Sequence, residues 1–200
     1  MKTSIKNLIT AAFTFVILTA STLLVNANDQ VTVLNDVKKV NKINVAGNVE
    51  LILVQSENES VKVYDSYYSK NALVQQKDGE LRISSYEKTP LTVIVYVNNL
   101  REINAADNAV VSTSGKFSTL ALEVNLKDKA KANLNIQAVS LDADVKGLAD
   151  LTLSGYAAEY YGVVNNLSKV NLNAFVAENA SIQSQGANPQ KKALASIVAE

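Results

Sequence analysis

The chain has 200 residues and contains no Cys, His or Trp. Ser-His-Asp and Cys-His nucleophiles, His-based zinc sites, thiolate metal sites and c-type haem are therefore excluded. Lys plus Arg and Asp plus Glu both number 19, so there is no basic excess of the kind that nucleic-acid binding needs.

Residues 1–27 read as a signal peptide. Lys2 and Lys6 supply the positive start, an apolar run extends from Leu8 to Val25, and Val25-Asn26-Ala27 offers small residues for cleavage. Cutting after Ala27 leaves 17 basic against 19 acidic residues, a net charge of −2. No later segment is apolar enough to span a bilayer. This points to an exported protein of the periplasm, the outer-membrane surface or the extracellular space.

Residues 28–99 form an N-terminal β part. Ile43 and Val45, then Val49, Leu51 and Leu53, then Val61 and Val63 alternate with polar neighbours, the period-two pattern of half-buried strands. Asp78-Gly79 sits between two such runs, a hairpin signal. Pro90 stops one strand and Leu91–Val97 makes the next. The expected arrangement is antiparallel strands, a meander or the opening turns of a stacked sheet.

Residues 100–188 repeat. Ala109, Ala130, Ala149, Ser168 and Ala187 are spaced by 21, 19, 19 and 19 residues. Val111, Ala132, Leu151 and Val170 follow two residues after the first four, and Thr113, Leu134, Leu153 and Leu172 follow four after. A second set of columns holds Leu120, Val139, Ala158 and Ala177, then Leu122, Leu141, Tyr160 and Asn179, then Val124, Ala143, Gly162 and Ser181, then Leu126, Val145, Val164 and Gln183. A coil of about 20 residues cannot bury its apolar face alone, but stacked coils join their faces into one core. The predicted fold is all-β: antiparallel N-terminal strands leading into a β-solenoid of about four coils with a 19–21 residue repeat, residues 28–200 forming one continuous domain. In the tail, 189–200, Leu194, Ile197 and Val198 fit a short helical stripe after Pro189. That tail either caps the open end of the stack or frays.

Several stretches resemble the head GIN domain family of putative autotransporter adhesins. They are Val40–Leu51, Gln55 with Val61-Lys-Val63, Asp78-Gly79-Glu-Leu81-Arg-Ile83, and Leu100-Arg-Glu-Ile103 leading to Ala109. The resemblance covers about residues 38–188. It implies an exported protein of Gram-negative bacteria with an adhesive role, and it brings no catalytic residues. The family's Ser-Gly-Ala coil turns read here as Asp107-Asn108-Ala109, Asp128-Lys129-Ala130 and Gly147-Leu148-Ala149.

Candidate chemistry is sparse. Asp142 and Asp144 lie two apart on one strand and share its outer face. Two carboxylates at such spacing could serve acid/base chemistry on sugars, but on a flat face they read as a charged solvent surface. Lys131, Asp150 and Lys169 form a mixed-charge outer stripe, read as cross-strand pairs. Tyr67, Tyr68 and Tyr161 are the candidate binding residues, because exposed aromatics on a sheet stack on sugar rings or anchor protein partners. No catalytic residue, cofactor or metal site is assigned. The expected function is a non-enzymatic cell-surface or periplasmic adhesin-like module that meets a glycan or a surface protein. The alternatives are a structural envelope protein that self-associates through its solenoid ends and, behind both, a polysaccharide-degrading β-helix enzyme.

Overall fold

The computed structural model describes residues 31–64 and 72–185. The predicted leader, Tyr67, Tyr68 and the tail lie outside the described residues. The described chain is all-β. Its strands are β1 (Val31–Leu34), β2 (Lys42–Gly47), β3 (Val49–Gln55), β4 (Ser60–Tyr64), β5 (Ala72–Lys77), β6 (Glu80–Ser85) and β7 (Leu91–Val97). They continue with β8 (Glu102–Ala105), β9 (Val110–Thr113), β10 (Phe117–Leu126), β11 (Lys131–Val145), β12 (Asp150–Asn165) and β13 (Lys169–Gln185).

These strands form one mixed sheet that curls into a half-barrel. Its shape follows from β11, which is long enough to serve two neighbours. The first part of β11 pairs with β9, which leads through β3, β7 and β4 to β1. The remainder pairs with β10, which leads through β8, β2 and β6 to β5. Two arms therefore leave one strand, and their inner faces close on a single core. Ile43, Leu51, Leu81, Ile103, Leu122 and Leu134 are all fully buried within it.

The antiparallel expectation for the N-terminal part is corrected. Only β1–β4, β4–β7 and β5–β6 are antiparallel. β2 pairs parallel with β6 and β8, and β3 pairs parallel with β7 and β9. The cause sits at Gly47-Asn48. Gly47 has φ +82, and a Cβ there would lie 2.0 Å from the Ser85 carbonyl oxygen. The chain turns a corner at this point and sends β2 and β3 into opposite arms. Asn48 fixes the corner: its backbone N–H donates to Ser85 (2.6 Å), and its amide donates to the carbonyls of Glu87 (3.1 Å) and Lys88 (3.0 Å). The Asp78-Gly79 hairpin forms as expected, with both residues at positive φ (50 and 81).

The repeat is present as parallel ladders. β10, β11 and β12 stack at the 19-residue offset, so Leu122, Leu141 and Tyr160 align, as do Val124, Ala143 and Gly162. Ala109, Ala130 and Ala149 are fully buried at the corners. Two details depart from the expected columns. An irregularity between Thr152 and Ser154 slips β13 by one residue, so Tyr160 faces Ala180 and Gly162 faces Ile182. The Leu120/Val139 column also points outward, at 79% and 54% exposure. The inward phase changes at that bend, passing from Phe117 to Leu122 in β10 and from Ala138 to Leu141 in β11.

Corners stack too. Asp107, Asp128 and Gly147 occupy equivalent turn positions and share positive φ values of 59, 60 and 68. The Asp107 carboxylate accepts from the Gly47 N–H (3.1 Å), and the Asp128 carboxylate accepts from the Asp107 N–H (3.3 Å). These carboxylates close each corner onto the preceding one. At the following corner the Ser168 hydroxyl donates to the carbonyls of Val145 (3.0 Å) and Gly147 (3.2 Å).

Candidate binding face

The arm running β6–β2–β8–β10–β11 is in register from strand to strand, so its outward residues fall into rows. One row holds Glu80, Lys42, Glu102, Glu123 and Asp142, and continues to Tyr161 on β12. The next row holds Arg82, Asn44, Asn104, Asn125 and Asp144. In this second row the side chains bond to one another. The Asn104 amide donates to the Asn44 carbonyl (2.6 Å), and the Asn125 amide donates to the Asn104 carbonyl (3.0 Å). Each amide also bonds within its own strand: Asn104 to Glu102 (2.8 Å) and Asn125 to Glu123 (2.7 Å). Asn44 donates to Glu80.

Charge completes the frame. Lys42 and Glu102 meet at 2.8 Å, and Arg82 and Glu80 at 2.6 Å. The hydrogen bond to Glu102 raises the Lys42 ammonium above its usual range. The Arg82 guanidinium holds the Glu80 carboxyl below the carboxylate range. Burial works to raise Glu102, but hydrogen bonds from Lys42 and Asn104 prevail and its carboxyl is lowered.

Beside the Asn row lies a trough of about 550 Å³. Its floor is recessed because Ala46, Ser84 and Ala106 are small. Leu73 and Arg82 bound one end, and Lys127 and Lys146 the other. Asp144 holds Lys146 through one carboxylate oxygen (2.5 Å). Its other oxygen, Oδ1, is buried and has no partner among the described residues.

The expected site residues separate here. Tyr161 is on the outer face, 40% exposed, while Tyr160 is turned inward at 2%. Asp142 and Asp144 share the outer face as expected, but Asp144 belongs to the Asn row. Lys131, Asp150 and Lys169 align as one stripe. Among the described residues, no group of three or more His, Cys, Asp or Glu side chains converges as a metal site.

The Asn row escaped the sequence reading because its members are far apart along the chain. A signal was present all the same. Lys42-Ile-Asn44-Val, Glu102-Ile-Asn104-Ala, Glu123-Val-Asn125-Leu and Asp142-Ala-Asp144-Val are one motif: charged, apolar, amide or acid, apolar.

Solved structures share this fold. A putative adhesin from Bacteroides fragilis superposes with a TM-score of 0.69 at 19% identity, covering 80% of this chain and 78% of that one. A putative adhesin from Parabacteroides merdae gives 0.65 at 14% identity over 80% and 78%. A putative lipid binding protein from Parabacteroides distasonis gives 0.60 at 14% over 80% and 79%. No curated protein matches the chain. The family model described as "Putative auto-transporter adhesin, head GIN domain" matches residues 39–193. With the Asp78-Gly79 hairpin, the buried corner alanines and the parallel ladders in place, the chain belongs to the head GIN domain family.

Proposed function

We propose that the protein is an exported, non-enzymatic adhesin-like module, and that its stacked 19-residue repeats are the coils of a β-solenoid serving as a rigid platform. The observation that carries this reading is the outer face of β6–β2–β8–β10–β11. Five strands in register hold rows of polar side chains at fixed spacing, with Tyr161 beyond the end of one row. Repeat stacks present extended surfaces of this kind to partners. Family membership supports the adhesive role. Tyr161 and the pair Tyr67 and Tyr68 are the proposed aromatic contacts.

The test is a binding screen of the purified chain against matrix proteins and immobilised glycans, with oligomeric state recorded by light scattering. Saturable binding weakened by Tyr161→Ala supports the reading. Absence of binding to every surface overturns it.

A second reading is favoured by β13, which pairs only with β12 among the described residues. Among the described residues no strand pairs with its far edge along Lys169–Gln185, and Val176 and Ile182 are each 47% exposed. Such an edge templates strand addition. Concentration-dependent assembly without ligand binding would favour a self-associating structural protein.

A further inference from the structure

The amide hydrogens of Asn104 and Asn125 are engaged within the protein, and Asn44 donates to Glu80. Asn104 and Asn125 each donate twice, once to the preceding rung and once within their own strand. An amide nitrogen has only two hydrogens to give. What the row offers outward is therefore acceptors. Its carbonyl oxygens each have two lone pairs, and the Asn125 oxygen receives no hydrogen bond among the described residues. On the next rung stands Asp144, whose carboxylate only accepts and is held by Lys146, so it gives the Asn125 oxygen no donor. A molecule that pairs with the open Asn oxygens must bring hydrogen-bond donors.

Shape narrows the class. The trough runs across the strands, from Arg82 on β6 to Asp144 on β11. At the ~4.8 Å spacing of paired strands, that is roughly 19 Å. It suits an extended chain with a donor repeating at about every rung. An acyl chain has no donors, and an anion would find Arg82 and Lys146 already paired with Glu80 and Asp144. An unbranched sugar chain has hydroxyl donors on every unit, advances by about one rung per unit, and can lay its C–H face on Ala46 and Ala106. The cations at the ends, Arg82 and Lys127, can donate to its ring and hydroxyl oxygens.

We infer that the trough between the Asn44–Asn104–Asn125–Asp144 row and the Ala46/Ala106 floor binds a linear, neutral polysaccharide lying across the strands, with sugar hydroxyls donating to the Asn oxygens. This rests on the adhesin-like reading and names its ligand class and site.

The experiment is titration calorimetry on the intact chain. The probes are neutral, unbranched β-linked oligosaccharides of glucose, N-acetylglucosamine and xylose in increasing length. Affinity should rise with length until the probe spans the five strands, then level. Two variants test the site. Asp144→Asn supplies an amide that can donate to the Asn125 oxygen, closing the row internally. It should keep the fold and weaken binding about tenfold or more. Ala106→Leu raises the floor without touching any of these hydrogen-bonding groups and should weaken binding similarly. Binding unaffected by either variant overturns the site. No saturable binding by any series overturns the ligand class, as does displacement of a fluorescent fatty acid that Ala106→Leu blocks. Adhesion to immobilised matrix proteins, measured on the same preparation, separates these failures from failure of the adhesin-like reading.

Discussion

Tyr160 and Phe175 meet edge to face, their ring centroids 5.5 Å apart and their planes at 69°. Phe175 is the buried aromatic of β13, the last strand of the stack among the described residues, and most of the side chains beyond it on that strand are exposed. Aromatic pairs in this geometry add about 0.5–1.5 kcal/mol beyond simple burial. The contact therefore pins the last strand to the core. Phe175→Ala should destabilise the protein by about 3 kcal/mol, and hydrogen exchange should show faster opening of β13 than of β11. Uniform opening across both strands would contradict this.

Tyr160→Phe should behave in the opposite way. The Tyr160 hydroxyl is buried and has no partner among the described residues, and Gly162 leaves it space, since a Cβ there would lie 2.9 Å from that oxygen. Removing the hydroxyl discards an unsatisfied group while keeping the ring. Denaturant unfolding should show a gain of about 1 kcal/mol.

Asp107→Ala should cost about 2 kcal/mol. It removes the acceptor of the Gly47 N–H and leaves an ordinary Cβ residue at φ 59, where left-handed geometry is unfavourable by roughly 1–2 kcal/mol. Asp107→Gly keeps the permitted geometry and should recover the backbone share of that loss, so the pair of melts separates conformation from hydrogen bonding.

Gly155→Ala is predicted to be among the most damaging single changes in the repeats. Gly155 has φ +100, and an added Cβ would lie 2.1 Å from the Ile136 carbonyl oxygen. Backbone of the neighbouring strand would have to move. The loss should exceed about 1 kcal/mol and fall on the β11–β12 ladder, readable by exchange of its amides.

Stability should fall at both extremes of pH. Glu80 and Glu102 have native carboxyls lowered from 4.5. Their contribution is complete above that value and is lost as pH falls through the lower native values. Burial pushes the Tyr160 hydroxyl from 10.0 up to about 12. Its neutral form is the one the fold accommodates, so stability is unchanged below 10 and declines towards 12 by about 3 kcal/mol. Thermal melts across pH, with tyrosinate absorbance followed on the alkaline side, should show one phenol titrating last. Tyr160→Phe should remove the tyrosine share of that alkaline limb and leave the share of Lys42, whose ammonium the hydrogen bond to Glu102 holds above its usual range.

The repeat was legible because parallel stacking copies residue class at fixed offset. Ala109, Ala130 and Ala149 mark three corners in the sequence and in the fold. Register was legible up to β12 and failed at β13, where a one-residue irregularity between Thr152 and Ser154 leaves no trace in the apolar pattern. Strand direction in the N-terminal part was not legible. Alternation has period two in parallel and antiparallel strands alike, so Ile43–Val45 and Val49–Leu53 look like a hairpin although they lie in opposite arms. The binding face was hidden for a different reason. Asn44 and Asn104 are neighbours across a strand pair yet 60 residues apart, and no window along the chain contains both.

The Asn row has one more property. Asn125 donates to Asn104, Asn104 to Asn44, and Asn44 to Glu80, so every amide dipole in it points the same way. The row has a head and a tail, closed at one end by a carboxylate beside Arg82 and at the other by the Asn125 oxygen, which faces the Asp144 carboxylate and gains no donor from it. A polymer whose own two ends differ would find the two directions along this face unequal. The surface could thus tell a chain from its reverse, with a single column of amides acting as the arrow.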